Sequence, residues 1–218
     1  MFTGSQGLLN IAAYTVGTHV LGPGYRSAVW VMGCPMHCKG CIAKDWIPNR
    51  KSILISPQKL AEILLKDPKV NGLTISGGEP FQQAQSLVEL VRQMKKTREI
   101  DIICFSGHTL SHLQNDLLLE GAQELLSLVD VLIDGPYIEE KNDGIGLRGS
   151  SNQQIHFLTN RWVGYPFDKV QRSIEIRFAE NNELFLVGIP PIGFDQVVDQ
   201  AIERARKMVS GMVKDEWS

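Results

Sequence analysis

Short apolar runs alternate with helical patterns along the chain, and this alternation restricts the fold more than any other feature. Repeated strand–helix units of this kind are typical of a parallel sheet covered by helices. We therefore predict an α/β fold with four main strands, at about residues 27–32, 70–76, 100–105 and 129–134.

The helices between these runs carry start and stop signals. Ser56-Pro57 combines a favoured N-cap residue with proline at the first helical position, and Asp67-Pro68 ends that helix. A second helix is predicted from about Gln83 to Lys96, because its apolar residues cluster on one side. Both helices therefore have one face suited to packing on the sheet.

The pattern changes after about residue 157. Residues 173–178 and 184–187 alternate in polarity on either side of Glu180-Asn-Asn182, which predicts an antiparallel β-hairpin. A long amphipathic helix is predicted to follow. Its apolar stripe has helical spacing and is expected to be a packing surface: Phe194, Val197, Val198, Ala201, Ile202, Ala205, Met208, Val209 and Met212.

Length and composition limit the architecture and the partners. With 218 residues, 43% of them apolar, the chain can fill one core, so we predict a single domain over residues 1–218. The 22 basic and 24 acidic residues are interspersed, which does not favour a nucleic-acid partner. No apolar stretch approaches a membrane span, and the chain has free thiols. We therefore expect a cytoplasmic protein with no membrane partner.

Three cysteines lie close together directly after the first predicted strand. Cys34, Cys38 and Cys41 can converge from one loop onto a 4Fe-4S cluster, and three ligands leave one iron open to chemistry. A zinc site that recruits His37 or a distant histidine is an alternative, although structural zinc sites normally have four protein ligands. A disulfide framework is another, and it requires an oxidising compartment. The open cluster is the favoured interpretation.

Further candidate residues follow the other strands. Gly77-Gly78-Glu79-Pro80, Ser106-Gly107-His108 and Asp134-Gly135 each follow a predicted strand, where ligands of parallel sheets collect. Glycines there permit close backbone approach, and Ser106 or Asp134 could contact a cofactor. Each has an ordinary alternative: a turn for the glycines and Ser106, and a helix cap for Asp134. Cys104, within a strand, is expected to be a buried apolar residue.

Taken together, these motifs resemble the radical S-adenosylmethionine superfamily. Its CxxxCxxC signature matches the three cysteines, and its Gly-Gly-Glu-Pro element matches residues 77–80. Gly22-Pro-Gly24-x-Arg26 and Arg148-Gly-Ser-Ser-Asn-Gln153 are similar to the small activating enzymes of glycyl-radical proteins, above all to the group that activates anaerobic ribonucleotide reductase. Gly40, before the third cysteine, is also typical of that group. The resemblance covers about residues 22–153.

The resemblance implies a partial (β/α) barrel of the radical S-adenosylmethionine type, with a core at about residues 22–156 and an extension at 157–218. Cys34, Cys38 and Cys41 would bind the 4Fe-4S cluster. Gly77, Gly78, Glu79 and Pro80 would meet the methionine moiety, with Gly40 nearby. The implied activity is an oxidoreductase reaction without oxygen, in which a 5'-deoxyadenosyl radical takes hydrogen from a glycine of a partner protein. A flavodoxin- or ferredoxin-type reductant is expected.

Two other functions stay open at this stage. One is a radical enzyme that modifies a peptide or a small molecule. The other is a cluster-carrying electron-transfer or sensor module, although a simple carrier would be better served by four cysteine ligands. The Arg148 to Gln153 element is expected either to order a loop over the site or to contact the partner.

Overall fold

A computed structural model describes residues 7–116, 118–178, 184–194 and 196–204. It confirms the α/β class. Seven strands form one mixed sheet in the order β3-β1-β2-β4-β5-β6-β7, and two further strands form a hairpin. The strands are β1 Leu9–Thr18, β2 Arg26–Val31, β3 Ile53–Ile55, β4 Gly72–Gly77, β5 Asp101–Ser106, β6 Val131–Asp134, β7 Gln154–Phe157, β8 Ile174–Phe178 and β9 Leu184–Gly188.

The four predicted strands are the parallel centre of the sheet. β2, β4, β5 and β6 pair in parallel, so their carboxyl ends meet at one edge. β1 and β7 add antiparallel strands on either side, and β3 pairs antiparallel with β1. The described strands have an open order, with β3 and β7 at opposite ends. The barrel curvature of the sheet stays a prediction.

The sequence interpretation placed the first strand at about residue 27, and this was wrong. β1 precedes it and pairs with it. Its register shifts between Ile11 and Ala13 and again between Thr15 and Thr18. Such irregularities disturb the two-residue alternation by which a half-buried strand is recognised.

Four helices lie between the parallel strands: α1 Pro57–Leu64, α2 Ala84–Thr97, α3 Leu110–Asn115 and α4 Ala122–Leu128. The Ser56 hydroxyl accepts a hydrogen bond from Lys59 N at 3.2 Å, which confirms it as the N-cap of α1. Apolar residues of the helices pack with one face of the sheet in the largest core cluster. Cys104 belongs to this cluster and is fully buried, as expected.

The opposite face of the sheet, here called the inner face, is covered by residues from the extension and from the loop before it. Ile103, Val131 and Ile133 pack with Leu147 and Phe167. Nearer the β1 edge, Trp30 packs with Phe185 and Val187 of the β8–β9 hairpin. Phe167 and the hairpin residues Phe185 and Val187 of the extension therefore pack on the sheet.

The predicted packing of the C-terminal helix was wrong for the residues that the structure describes. Residues 196–204 are helical, yet Val197 is 63% exposed and Ile202 is 45% exposed. The described clusters on the inner face contain residues of the hairpin and Phe167, and neither Val197 nor Ile202 belongs to them. The stripe residues from Ala205 onward lie outside the described residues. Within the described part of the chain, no helix is long and apolar enough to cross a membrane.

Candidate cluster and cofactor site

The loop that carries the three cysteines, residues 34–41, is held at its start by backbone hydrogen bonds. Gly33 N donates to Trp46 O at 2.8 Å, and Cys34 N donates to Ile47 O at 3.0 Å. Inside the loop, His37 has a φ of 48°, a conformation that non-glycine residues seldom adopt. The chain therefore leaves β2, turns tightly through the cysteines and returns to its own starting point.

All three cysteines of this loop are free thiols of intermediate exposure. Burial raises the pKa of the Cys34 thiol, and the nearby Glu79 and other cysteines add to the rise. Burial also raises the pKa of Cys41. Because thiolates are the metal-binding form, loading the site must release protons.

The donor set fits a cluster better than a single ion. Among the described residues, no three His, Cys, Asp or Glu side chains converge on a common metal position. A zinc site requires its ligands to surround one ion, whereas an iron–sulfur cluster spreads its thiolates over separate irons. Structural zinc sites normally have four protein ligands, whereas this loop offers three cysteine thiols, so the donor set favours a 4Fe-4S cluster, and the identity of the ligands stays a prediction.

Gly77 and Gly78 bring the end of β4 against the start of the cysteine loop. A Cβ on Gly78 would lie 2.1 Å from Gly33 O, and Gly77 has a φ of 112°. Gly78 N donates to Val31 O, and Glu79 N donates to Gly33 O, both at 2.8 Å. The two glycines are thus required for the contact between two backbones, before any ligand is considered.

Glu79 is fully buried and connects the ends of β4 and β5. Its Oε1 accepts hydrogen bonds from Phe81 N and from Ser106 Oγ, both at 3.0 Å, and its Oε2 accepts from Gly107 N at 2.8 Å. Burial raises the pKa of Glu79 to about 7, although these hydrogen bonds favour the charged form. The carboxylate also caps the short 3-10 helix that begins at Pro80. Its contact with a cofactor stays a prediction.

Ser106 and Asp134 are both buried and already have protein partners. Ser106 Oγ donates to Glu79 and accepts from His108 N. Asp134 Oδ2 accepts a hydrogen bond from Leu110 N at the start of α3. His156 Nε2 also lies 3.0 Å from this oxygen, without the alignment of a hydrogen bond. Asp134 thus lies beside the start of α3, whose N-cap is Thr109, and does not cap a helix in the loop that follows it; the cofactor contacts of both residues stay predictions.

Two contacts with the cysteine loop were missed by sequence reasoning. A Cβ on Gly107 would lie 3.0 Å from Met36 Cγ, so the loop packs on the end of β5. On its other side, Lys39 Nζ lies 3.1 Å from Glu139 Oε2, and a Cβ on Gly40 would lie 2.6 Å from Glu139 Oε1. Glycine is suited to position 40 because its φ is 70°, a conformation that residues with a side chain seldom adopt. These contacts join residues distant in sequence and leave no local signal.

His108 presents an unused polar atom at the end of β5. Its Nε2 is buried and has no hydrogen-bond partner within the described structure. The ring stacks on His112, with the ring centroids 4.6 Å apart. Burial lowers the pKa of His108, and the charge of His112 lowers it further. A neutral imidazole with an unpaired nitrogen can donate to or accept from a ligand at this edge of the sheet.

The Arg148 to Gln153 element folds into a turn that is anchored to the end of β6. Gln153 Oε1 accepts from Gly149 N at 2.7 Å, and Gln153 Nε2 donates to Gly135 O at 2.8 Å. Arg148 Nη2 donates to Asp143 at 3.0 Å, while Arg148 Nε is buried without a partner in the described structure. The element is thus a hydrogen-bonded loop beside the end of β6, and its role in ordering a loop over the site or in contacting the partner stays a prediction.

Comparison with known proteins agrees with this geometry. Residues 20–156 match the family described as a 4Fe-4S single cluster domain. The chain is 35% identical over 148 residues to the anaerobic ribonucleoside-triphosphate reductase-activating protein of Vibrio cholerae, covering 64% of this chain and 92% of that protein. It is 32% identical to the protein of the same name from Pasteurella multocida, covering 69% and 99%. The matching protein of Enterobacteria phage T4 is 30% identical, covering 62% and 86%.

Proposed function

The chain belongs to the 4Fe-4S single cluster domain family and to the anaerobic ribonucleoside-triphosphate reductase-activating proteins, and on this basis we propose that it activates such a reductase. The activation is a radical S-adenosylmethionine reaction that leaves a radical on a glycine of the reductase. The observation that carries the proposal is the contact between Gly33, directly before the cysteine loop, and the Gly-Gly-Glu-Pro strand end, where Glu79 N donates to Gly33 O at 2.8 Å.

Cys34, Cys38 and Cys41 would hold three irons of the cluster, and the fourth would stay open to S-adenosylmethionine. When bound, the cluster would supply the electron for the reductive cleavage of S-adenosylmethionine to methionine and the 5'-deoxyadenosyl group, which would leave with a hydrogen atom of the glycine as 5'-deoxyadenosine. The protein contributes binding, orientation and exclusion of water.

The residues around the strand ends support these tasks. The backbone of Gly77 to Pro80 is held rigidly beside the cysteine loop, so it can orient the methionine moiety against the open iron. Glu79 is engaged on three sides and serves this orientation by fixing the strand ends to one another. Ser106 and Asp134 would act in the same way or through their remaining acceptor capacity, and His108 Nε2 is the unpaired group nearby.

The proposal also covers the curvature of the sheet, the domain organisation, the electron donor and the location of the protein. We propose that the sheet curves as a partial barrel of the radical S-adenosylmethionine type, and that residues 1–218 form one domain with its core at about 22–156. A flavodoxin- or ferredoxin-type protein would supply the electron. The four free cysteines support a cytoplasmic location. The relatives described above are named for activating a reductase, so a peptide or metabolite substrate is not proposed.

The test is electron paramagnetic resonance on an anaerobic mixture. It contains the reconstituted protein, S-adenosylmethionine, dithionite and the anaerobic ribonucleoside-triphosphate reductase of the organism that encodes this chain. We expect a glycyl-radical doublet on the reductase, together with 5'-deoxyadenosine and methionine. Cleavage of S-adenosylmethionine without any protein radical would contradict the proposed substrate. If no 5'-deoxyadenosine forms under any reducing condition, an electron-transfer module becomes the better explanation.

A further inference from the structure

Arg172 lies outside the span that matches the cluster-domain family, yet it is only 6% exposed. Its guanidinium donates four hydrogen bonds to a single loop. The acceptors are Gly146 O at 3.3 Å, Asn142 Oδ1 at 2.7 Å, Arg148 O at 2.6 Å and Gly149 O at 3.2 Å. One side chain of the extension therefore binds the loop at several points along its length.

This loop, residues 136–153, is here called the strap, and it connects the cysteine loop with the inner face of the sheet. Near its start, Glu139 contacts Lys39 and Gly40. In its middle, Leu147 is buried in the inner-face cluster, and its backbone N donates to Phe167 O at 2.7 Å. The strap thus passes from the edge of the cluster site to the extension.

The strap is anchored from two sides. Gln153 ties its end to Gly135, within the matched span, and Arg172 ties its middle from outside that span. The anchor at Arg172 restricts the strap conformation more strongly than the anchor at Gln153. A buried guanidinium is charged, and its N–H donors must all find acceptors. Asp143 Oδ1 lies 3.9 Å away, so direct bonding falls to three backbone carbonyls and one side-chain amide. These acceptors converge only in the observed strap conformation, so Arg172 and that conformation stabilise each other.

We infer that Arg172 is a positioning residue, which holds the strap in the conformation that the reductase recognises beside the cluster site. This inference rests on the proposed function. A glycine carried on a separate protein must be placed close to the reacting atoms, and small displacements of the surface that receives it reduce the rate strongly. In the described part of the chain, the hydrogen bonds of the Arg172 guanidinium all go to the strap, so Arg172 acts through the strap and leaves the cluster and S-adenosylmethionine sites intact.

The test compares Arg172→Lys with the wild-type protein and with Arg161→Gln. Lysine keeps the charge but cannot donate to four separated acceptors at once. Arg161 is a matched control, because it also lies in the extension but pairs with Glu99 at 2.7 Å, away from the strap. Three quantities are measured: iron content with 5'-deoxyadenosine formation in the absence of the reductase, glycyl-radical yield against reductase concentration, and hydrogen exchange of the strap amides.

For Arg172→Lys we expect unchanged iron content and unchanged reductase-independent 5'-deoxyadenosine formation. We expect faster exchange confined to the strap, and an increase of about tenfold in the reductase concentration that gives half-maximal glycyl radical. Arg161→Gln should match the wild type in all three measurements. If Arg172→Lys fails to fold, Asn142→Ala removes one acceptor of the guanidinium and should give a smaller shift in the same direction.

Two results would overturn the inference. In one, strap exchange accelerates while the half-maximal reductase concentration stays at the wild-type value. In the other, iron content and 5'-deoxyadenosine formation fall in proportion to the radical yield, which indicates a purely structural role. A wild-type protein that forms no glycyl radical overturns the proposed function and this inference with it. That outcome is distinct from a defect seen only in the variants.

Discussion

The two ends of the parallel strands differ in how completely their polar groups are paired. At the amino end, Arg26 is fully buried and donates to Thr74 Oγ1, Pro23 O and Leu73 O, and to Asp101 Oδ1 at 2.7 Å. At the carboxyl end, three thiols are half-exposed and His108 Nε2 has no partner in the described structure. A closed network is suited to stability, and unpaired groups are suited to binding a ligand. The Gly22-Pro-Gly24-x-Arg26 motif therefore supports the fold, while the chemistry is proposed for the cysteine loop.

The largest effect that this comparison predicts follows from removing a thiol at the carboxyl end. Cys34→Ala should abolish the 4Fe-4S cluster and with it the cleavage of S-adenosylmethionine, because each thiolate holds one iron. Cys104→Ala is the matched control, since Cys104 is buried in the helix-side core and should leave the cluster largely intact. Iron and sulfide analysis of the reconstituted variants measures both. Equal cluster loss in the two variants would falsify the assignment of three ligands.

The second predicted effect is a loss of stability when the buried network at the amino end of the parallel strands is disrupted. Asp101→Ala leaves the Arg26 guanidinium buried and without its carboxylate, and we expect a loss of about 3–5 kcal/mol in the free energy of unfolding. Cluster content per folded molecule should not change, because the network lies at the opposite end of the strands. Urea unfolding and iron analysis of the same samples test the two statements together. An Asp101→Ala variant that keeps the stability of the wild type but loses the cluster would contradict the separate roles of the two strand ends.

A third, smaller effect should appear where the cysteine loop meets β4. In Gly78→Ala the new Cβ would clash with Gly33 O, so the backbone must shift and S-adenosylmethionine cleavage should fall about 100-fold. Gly107→Ala is a milder control, since its Cβ would lie 3.0 Å from Met36 Cγ and 3.5 Å from Glu79 Oε2, and so would meet side chains before any backbone atom. Both rates are measured as 5'-deoxyadenosine formation with dithionite. Equal rates of 5'-deoxyadenosine formation in the two variants would show that the contact between Gly78 and Gly33 is not required for cleavage.

The smallest predicted effect is a pH dependence of stability that arises from Glu79. Its pKa in the folded protein is raised to about 7, so the folded state keeps a proton that the unfolded chain has lost. Stability from this group is therefore present at low pH and decreases as the pH rises from about 4.5 to 7, by about 1–2 kcal/mol over the upper part of that range. Unfolding of wild type and Glu79→Gln at pH 5.5 and pH 7.5 measures the difference. If the free energy of unfolding changes equally between pH 5.5 and pH 7.5 in the two proteins, Glu79 is not the cause of the pH dependence.

Much of the fold could be predicted from local patterns. β2, β4, β5 and β6 are buried on both faces and read as continuous apolar runs, so periodicity and the following helices identify them. β1 could not be found in this way, because its register shifts disturb the alternation. The short strands β3 and β7 depend on pairing with neighbours and have little signal of their own.

The features of the candidate site likewise divide into those that local sequence patterns predict and those that only the structure shows. The three cysteines and the Gly77-Gly78 pair were identified because the spacing of residues within one loop is set by the covalent chain. The hydrogen bonds of Glu79 to Ser106 and Gly107 span two strands, and no local pattern in the sequence predicts them. The sequence interpretation left Asp134 open between a ligand contact and a helix cap in the following loop, whereas the structure places it beside Leu110 N at the start of the preceding helix α3.

The sequence by itself determined the α/β class, the positions of the four parallel strands and the cysteine loop, because all of these follow from residue type and spacing over short distances. Only the tertiary structure decided which surfaces are covered and which buried charges are paired. The apolar stripe of the C-terminal helix was expected to be buried, yet Val197 and Ile202 are exposed in the described part of that helix. Arg172, in contrast, gave no signal and is buried against the strap. Burial depends on which surface remains free after the other elements have packed, and residues far apart in the chain decide that.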